Sequence, residues 1–113
     1  MAADDFDVVV FKVLSYLYQC IKDGVEPNPA KAQELAKINP VYWRAVVSDL
    51  VDRKLVAATV LKTTGETLYY DLRITSAGVD YLNESPKMRK VKEFLGTALD
   101  VAIHIAVEAT KAL

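Results

Sequence analysis

Three features of the sequence predict a mainly α-helical fold with one small β-hairpin. Residues 1–54 carry two Asn-Pro pairs and apolar side chains spaced by three and four, a pattern typical of three helices. Residues 55–74 contain two β-type runs around a glycine turn, and a second helical region follows Thr75. This is the element order of a winged helix-turn-helix with an extra long C-terminal helix.

The composition indicates one compact domain. The chain has 113 residues, of which 52% are hydrophobic and 26% charged, and this suits a single core. The formal net charge of −1 gives no general attraction to nucleic acid or to an anionic membrane. A single cysteine, Cys20, excludes an internal disulfide and a multi-thiolate metal site, so we expect a cytoplasmic protein. The acidic start lacks the basic region of a signal peptide, and the most apolar segment, "ALDVAIHIAV", is too short to cross a membrane.

The first helix is predicted over residues 5–22, with Asp4 or Asp5 as its cap and Gly24 after its end. Its apolar residues recur at spacings of three and four and mark one inward face. That face comprises Phe6, Val10, Val13, Leu17 and either Cys20 or Ile21.

The two Asn-Pro pairs predict the next two helices. Proline suits the first turn because its missing N–H has no helical partner there, and asparagine is a favoured cap. Asn28 should start a short helix of about 29–37, and Asn39 a third helix of about 40–54. The apolar stripe of the third helix consists of Trp43, Val46, Val47 and Leu50.

The second half of the chain should contain the hairpin and two further helices. Strands are predicted at 55–62 and 67–74, with Gly65 at the tip of the turn between them. Thr75 should cap a fourth helix over 76–84, whose inward candidates are Ala77, Tyr81 and Leu82. Gly78 has no side chain, so the start of this helix could pass close to a neighbouring element. A fifth helix is predicted from about 86 to 110. Residues 1–85 then form the winged-helix domain and residues 86–113 a helix packed on it or at a dimer interface, within a single domain.

Two segments carry a resemblance to a known family. "RITSAGVDYLNES" followed by "MRKVKEFL", together with "PVYWRAVVSDLVDRKLV", resembles the YjcQ family, small winged-helix proteins common in prophage regions of Gram-positive bacteria. The resemblance covers roughly residues 5–95. It implies the fold, a phage or mobile-element origin and a non-enzymatic role, and it carries no catalytic or ligand residue onto this chain. The tail after Gly96 is more apolar than in the shorter members of the family.

Neither a catalytic site nor a metal site is predicted. Asp100, His104 and Glu108 share one helix face and could interact, but one histidine with two carboxylates on one helix is a weak ligand set. We interpret them as the solvent-facing stripe, and Cys20 as a small core residue. The four glycines are isolated and form no phosphate-binding loop. We therefore expect no enzymatic activity, metal or cofactor.

Double-stranded DNA is the leading partner because the third helix of this fold usually enters the major groove. Arg44 and Ser48 could reach base edges and Tyr42 a phosphate. Residues 28–73 hold seven basic and five acidic side chains, so this segment is mildly positive. Asp49 and Asp52 would nevertheless face the phosphates, which favours the alternative of a protein-interaction module that does not bind DNA. The candidate DNA-binding residues are Lys31, Lys37, Tyr42, Arg44, Ser48, Arg53, Lys62 and Thr64.

The last helix predicts a homodimer. Six of its residues recur at alternating spacings of four and three, which is a heptad seam, and further apolar residues flank it. A helix so apolar should be covered on most sides. The alternative is a monomer in which this helix folds back onto the first. The candidate dimer-interface residues are Val91, Leu95, Ala98, Ala102, Ile105 and Ala109.

Overall fold

A computed structural model of the protein describes residues 1–113 and contains six helices and one two-stranded antiparallel sheet. Helices α1 (Phe6–Asp23), α2 (Pro29–Ala36) and α3 (Pro40–Asp52) precede strands β1 (Val56–Thr63) and β2 (Glu66–Ile74). Helices α4 (Ser76–Glu84), α5 (Pro86–Leu95) and α6 (Ala98–Lys111) follow. The predicted fold class is confirmed, and the layout is consistent with a winged helix extended at its C-terminal side.

Both predicted asparagine caps are present. The side chain of Asn28 accepts a hydrogen bond from the backbone N–H of Lys31 at 3.2 Å, and that of Asn39 accepts one from Tyr42 at 2.8 Å. Each cap satisfies a donor that the first helical turn would otherwise leave unpaired. Local chemistry therefore fixes where α2 and α3 begin.

Helix α1 forms the centre of the core and packs against every other helix and against β2. The predicted inward face of α1 is too narrow, because side chains all around the helix are covered. Phe6 and Ile21, at its two ends, are instead exposed. The run "VVVFKVL", which is apolar except for Lys12, is typical of a helix that is buried on all sides. The buried residues of α1 are Val8, Val9, Val10, Phe11, Lys12, Val13, Leu14, Tyr16, Leu17 and Cys20.

The passage from β2 into α4 depends on Thr75 and Gly78. The Thr75 side chain accepts a hydrogen bond from the Gly78 N–H at 3.0 Å and donates one to the Lys54 carbonyl at 2.7 Å. A Cβ atom on Gly78 would overlap the carbonyl oxygen of Leu55 and lie 2.7 Å from a side-chain carbon of Ile74. The predicted close approach of this helix start is confirmed, and Leu55 is its partner.

The helix predicted over residues 86–110 is interrupted at Gly96, so the prediction of one continuous helix is wrong. Gly96 adopts φ 63° and ψ −154°, a backbone region open almost only to glycine. The chain turns there, and α6 starts at Ala98. As a result α5 packs on α1 and α4, whereas α6 packs on α1 and α2.

A buried hydrogen-bond chain attaches α6 to α1. The Tyr16 hydroxyl lies 2.6 Å from the Thr110 hydroxyl, which itself donates to the Ala106 carbonyl at 2.8 Å. Because Thr110 has only one hydroxyl hydrogen, Tyr16 is the donor in the shorter bond. The Tyr16 oxygen also accepts the backbone N–H of Asn28 at 3.0 Å. One phenol therefore joins α1, α6 and the start of α2.

Candidate nucleic-acid interface

A three-residue turn, Lys37 to Asn39, connects α2 to α3. Lys37 has a left-handed backbone (φ 57°), and its N–H donates to the Gln33 carbonyl at 2.9 Å. The Gln33 side chain in turn donates to the Ile38 carbonyl at 3.1 Å. Two helices joined by such a short turn are consistent with a helix-turn-helix arrangement.

The predicted stripe of α3 faces the core only in part. Val46, Val47 and Leu50 are buried, whereas Trp43 is half-buried. On the outer side Arg44 is exposed and Ser48 is half-buried. The three ion pairs of the protein are Lys31 with Glu34, Arg53 with Asp49, and Lys111 with Glu108. Arg44 is therefore free of any carboxylate partner.

Two of the candidate DNA-binding residues instead hold α3 to its neighbours. The Tyr42 hydroxyl donates to the backbone carbonyl of Asp4 at 2.6 Å, and its ring stacks on Phe6 with 6.3 Å between centroids. The Arg53 guanidinium lies 3.0 Å from the Asp49 carboxylate and 4.7 Å from the centre of the Tyr81 ring.

The hairpin carries Lys62 and Thr64 at its far end. Thr63 pairs with Glu66, which leaves Thr64 and Gly65 as a two-residue loop. Gly65 takes φ 94°, a conformation that favours glycine. Both Lys62 and Thr64 are exposed, so each is accessible to a partner that approaches the tip.

The structure also reveals a cleft of about 270 Å³ between α3 and β2 that the sequence did not predict. It places Arg44 beside Trp43 and beside two tyrosines of the strand. Consecutive residues of a strand point to opposite faces of the sheet. The adjacent Tyr69 and Tyr70 were therefore a sign in the sequence that one aromatic ring of β2 lies away from the core. The cleft is lined by Pro40, Trp43, Arg44, Val47, Thr67, Leu68, Tyr69 and Tyr70.

Lys12 is a further cation that sequence reasoning missed. It is only 9% exposed, and neither Lys12 nor the nearby Lys37 has a carboxylate partner. Burial lowers the pKa of Lys12, and the positive charge of Lys37 lowers this pKa further. Lys12 stands within the apolar run of α1, and nothing local in the sequence places it near the end of α2.

The predicted dimer seam does not form one continuous line, because the chain turns at Gly96. Val91 is buried in the protein's own core, whereas Ala98 and Ile105 are exposed on α6. The side of α6 that packs on the core consists of Leu99, Ile103, Ala106, Val107 and Thr110. Part of its outer side is apolar, with Val101 61% exposed and Ile105 65% exposed. None of the six helices, α6 included, has both the length and the apolar character that a membrane crossing requires.

Asp100, His104 and Glu108 lie on the exposed side of α6, as predicted. No group of three or more His, Cys, Asp or Glu residues is placed to hold a metal ion. Cys20 is completely buried, as expected for a core residue, and this burial raises the pKa of its thiol.

A family model described as YjcQ protein matches residues 11–101, from within α1 to within α6. The chain belongs to the YjcQ family. The match to this family confirms the resemblance and includes α3, the hairpin and α5. No curated protein and no solved structure matches this YjcQ-family chain.

Proposed function

We propose that this YjcQ-family protein is a small non-enzymatic regulator of phage or mobile-element origin that binds double-stranded DNA in the cytoplasm. Helix α3 would enter the major groove, and the hairpin would contact the adjacent backbone. The observation that carries the proposal is the position of Arg44. It is the only cation within α3, it is exposed and unpaired, and it lies in the cleft beside the hairpin.

The distribution of charge around α3 supports this proposal. Lys37 is exposed in the α2–α3 turn and is close enough to the buried Lys12 for their charges to repel, and Lys62 is exposed on the hairpin. A DNA phosphate at Lys37 would offset this repulsion, because neither lysine has a carboxylate partner of its own. On the acidic side, Asp49 is already paired with Arg53, so Asp52 is the one carboxylate of α3 without an ion pair.

The first test measures binding to random-sequence duplex DNA by fluorescence anisotropy at low and physiological salt. We expect binding that weakens steeply with salt, because phosphate contacts release counterions. Arg44→Ala should abolish sequence preference in a selection from a random DNA library. Lys62→Ala should weaken binding to all sequences and reduce the salt slope by about one.

Lys111→Ala is the matched control, since it removes one positive charge at the end of α6, outside the proposed interface. This variant should bind like the wild type. Absence of binding at low salt, with the fold intact by circular dichroism, would overturn the proposal.

A protein-interaction module is the second candidate, and the far half of the hairpin favours it. Val60 is 44% exposed, Leu61 46% and Tyr70 38%, so apolar side chains are exposed on both faces of the hairpin, where a DNA-contacting hairpin would carry polar ones. Failure to bind DNA would select this function. A search for protein partners would then start from these three side chains.

A further inference from the structure

A second cavity, of about 300 Å³, lies between α1, α4, α5 and α6. No residue of α3 or of the hairpin lines it, so it is separate from the proposed DNA interface. Its floor is apolar and includes Phe11, Met88, Leu99 and Ile103, all of which are buried. Polar side chains such as Ser15, Gln19 and Asn83 complete its wall.

Positive charge converges on this cavity from two helices. Lys22 of α1 and Arg89 and Lys92 of α5 line it, and none of these cations belongs to an ion pair of the protein. The Lys22 ammonium lies 4.5 Å from the centre of the Tyr18 ring, which also borders the cavity. Asp100 is the only carboxylate in the lining, so it cannot balance the three cations there.

We propose that this cavity binds a small organic anion, an aromatic body of one or two rings that carries a carboxylate or phosphate. The aromatic body would rest on the apolar floor, and the anionic group would meet Arg89, Lys92 and Lys22 at the rim. A guanidinium is well suited to this contact, because its planar fork can donate two parallel hydrogen bonds to a carboxylate or phosphate. The cavity is at the small end of the range for ligand sites, which restricts the ligand to this size.

The charge requirement is tested with 1-naphthoate and with the uncharged 1-naphthalenemethanol, which has the same rings. Calorimetry should show saturable binding of naphthoate. The affinity of the alcohol should be lower by at least about tenfold, because the charge-assisted hydrogen bonds are lost. Amide shifts in nuclear magnetic resonance spectra should concentrate around Gly96 and Lys92. 1-Naphthyl phosphate serves as a third probe, and its affinity relative to naphthoate decides between phosphate and carboxylate ligands.

The residues are tested with matched double variants on one helix. Arg89→Gln with Lys92→Gln should weaken naphthoate binding about tenfold or more. Lys87→Gln with Lys90→Gln changes the charge of α5 equally, but neither residue lines the cavity, so binding should be retained. All four side chains are exposed and outside the ion pairs, so both variants should fold.

Asp100→Asn should tighten naphthoate binding, because it removes the one negative charge from the lining. The proposal is overturned if naphthoate and naphthyl phosphate both fail to bind at millimolar concentration. It is equally overturned if the alcohol binds as well as naphthoate, or if the two double variants behave alike.

Discussion

At Gly78 the absence of a side chain allows α4 to start directly against the backbone of Leu55. The cap at Thr75 also holds the start of α4 against the backbone near Leu55. Its hydroxyl accepts a hydrogen bond from the Gly78 N–H and donates one to the Lys54 carbonyl. Gly78 is buried although it stands in the first turn of a surface helix. The stretch "RITSAG" therefore encodes both the end of the hairpin and the attachment of the next helix.

Gly78→Ala should destabilise the protein. In an open helix position this change stabilises by up to about 1 kcal/mol, because alanine has the higher helix propensity. Here the new methyl group overlaps backbone that cannot move freely, so we expect a loss of about 1–3 kcal/mol in the free energy of unfolding. Urea denaturation measures it. Ser76→Ala, at an exposed position of the same helix, should change stability by no more than about 0.5 kcal/mol. Unchanged or increased stability of Gly78→Ala would contradict the close approach.

At the scale of the elements, local signals were readable in the sequence and long-range packing was not. The caps at Asn28, Asn39 and Thr75 act within one helical turn, so the observed starts of α2, α3 and α4 agree with the predicted ones. The break at Gly96 was hidden because the apolar spacing continues through it, and a lone glycine does not by itself end a helix. The positions of both cavities could not be predicted from the sequence, since each joins side chains from elements that are distant in sequence.

The attachment of α6 to α1 should depend on the buried Thr110 hydroxyl. Thr110→Val keeps the shape of the side chain but leaves the Tyr16 hydroxyl without its acceptor, so we expect a loss of about 1–3 kcal/mol in the free energy of unfolding. Chemical denaturation measures this loss. Thr64→Val, at the exposed tip of the hairpin, is the control and should be nearly neutral. If Thr110→Val is as stable as the control, the hydrogen-bond chain contributes nothing to the attachment.

At the scale of the whole molecule, one helix of the C-terminal region completes the core and also presents an apolar surface. The inner side of α6 covers α1 and α2, as in the monomer alternative drawn from the sequence. Its outer side keeps the part of the predicted seam that follows Gly96, with Ala98, Ala102, Ile105 and Ala109 exposed or half-buried. Small residues on such a face permit close approach of a second helix, so homodimerisation through α6 remains our proposal.

Ile105→Glu should convert a homodimer into monomers, because it places a charge at the centre of the exposed apolar face. Light scattering across a concentration series measures the mass directly. His104→Glu introduces the same carboxylate one residue earlier, on the polar stripe, and should leave the dimer intact. A wild-type protein that is monomeric at all concentrations would exclude the dimer.

The central position of α1 has a consequence for biosynthesis. The Tyr16–Thr110 contact joins residues that are 94 positions apart. At bacterial and eukaryotic elongation rates, Tyr16 is made roughly 5–20 s before its partner. Throughout that interval α1 lacks α6, the last of the helices that pack on it. The order of translation thus produces the central helix of the core first and one of its main covering helices last.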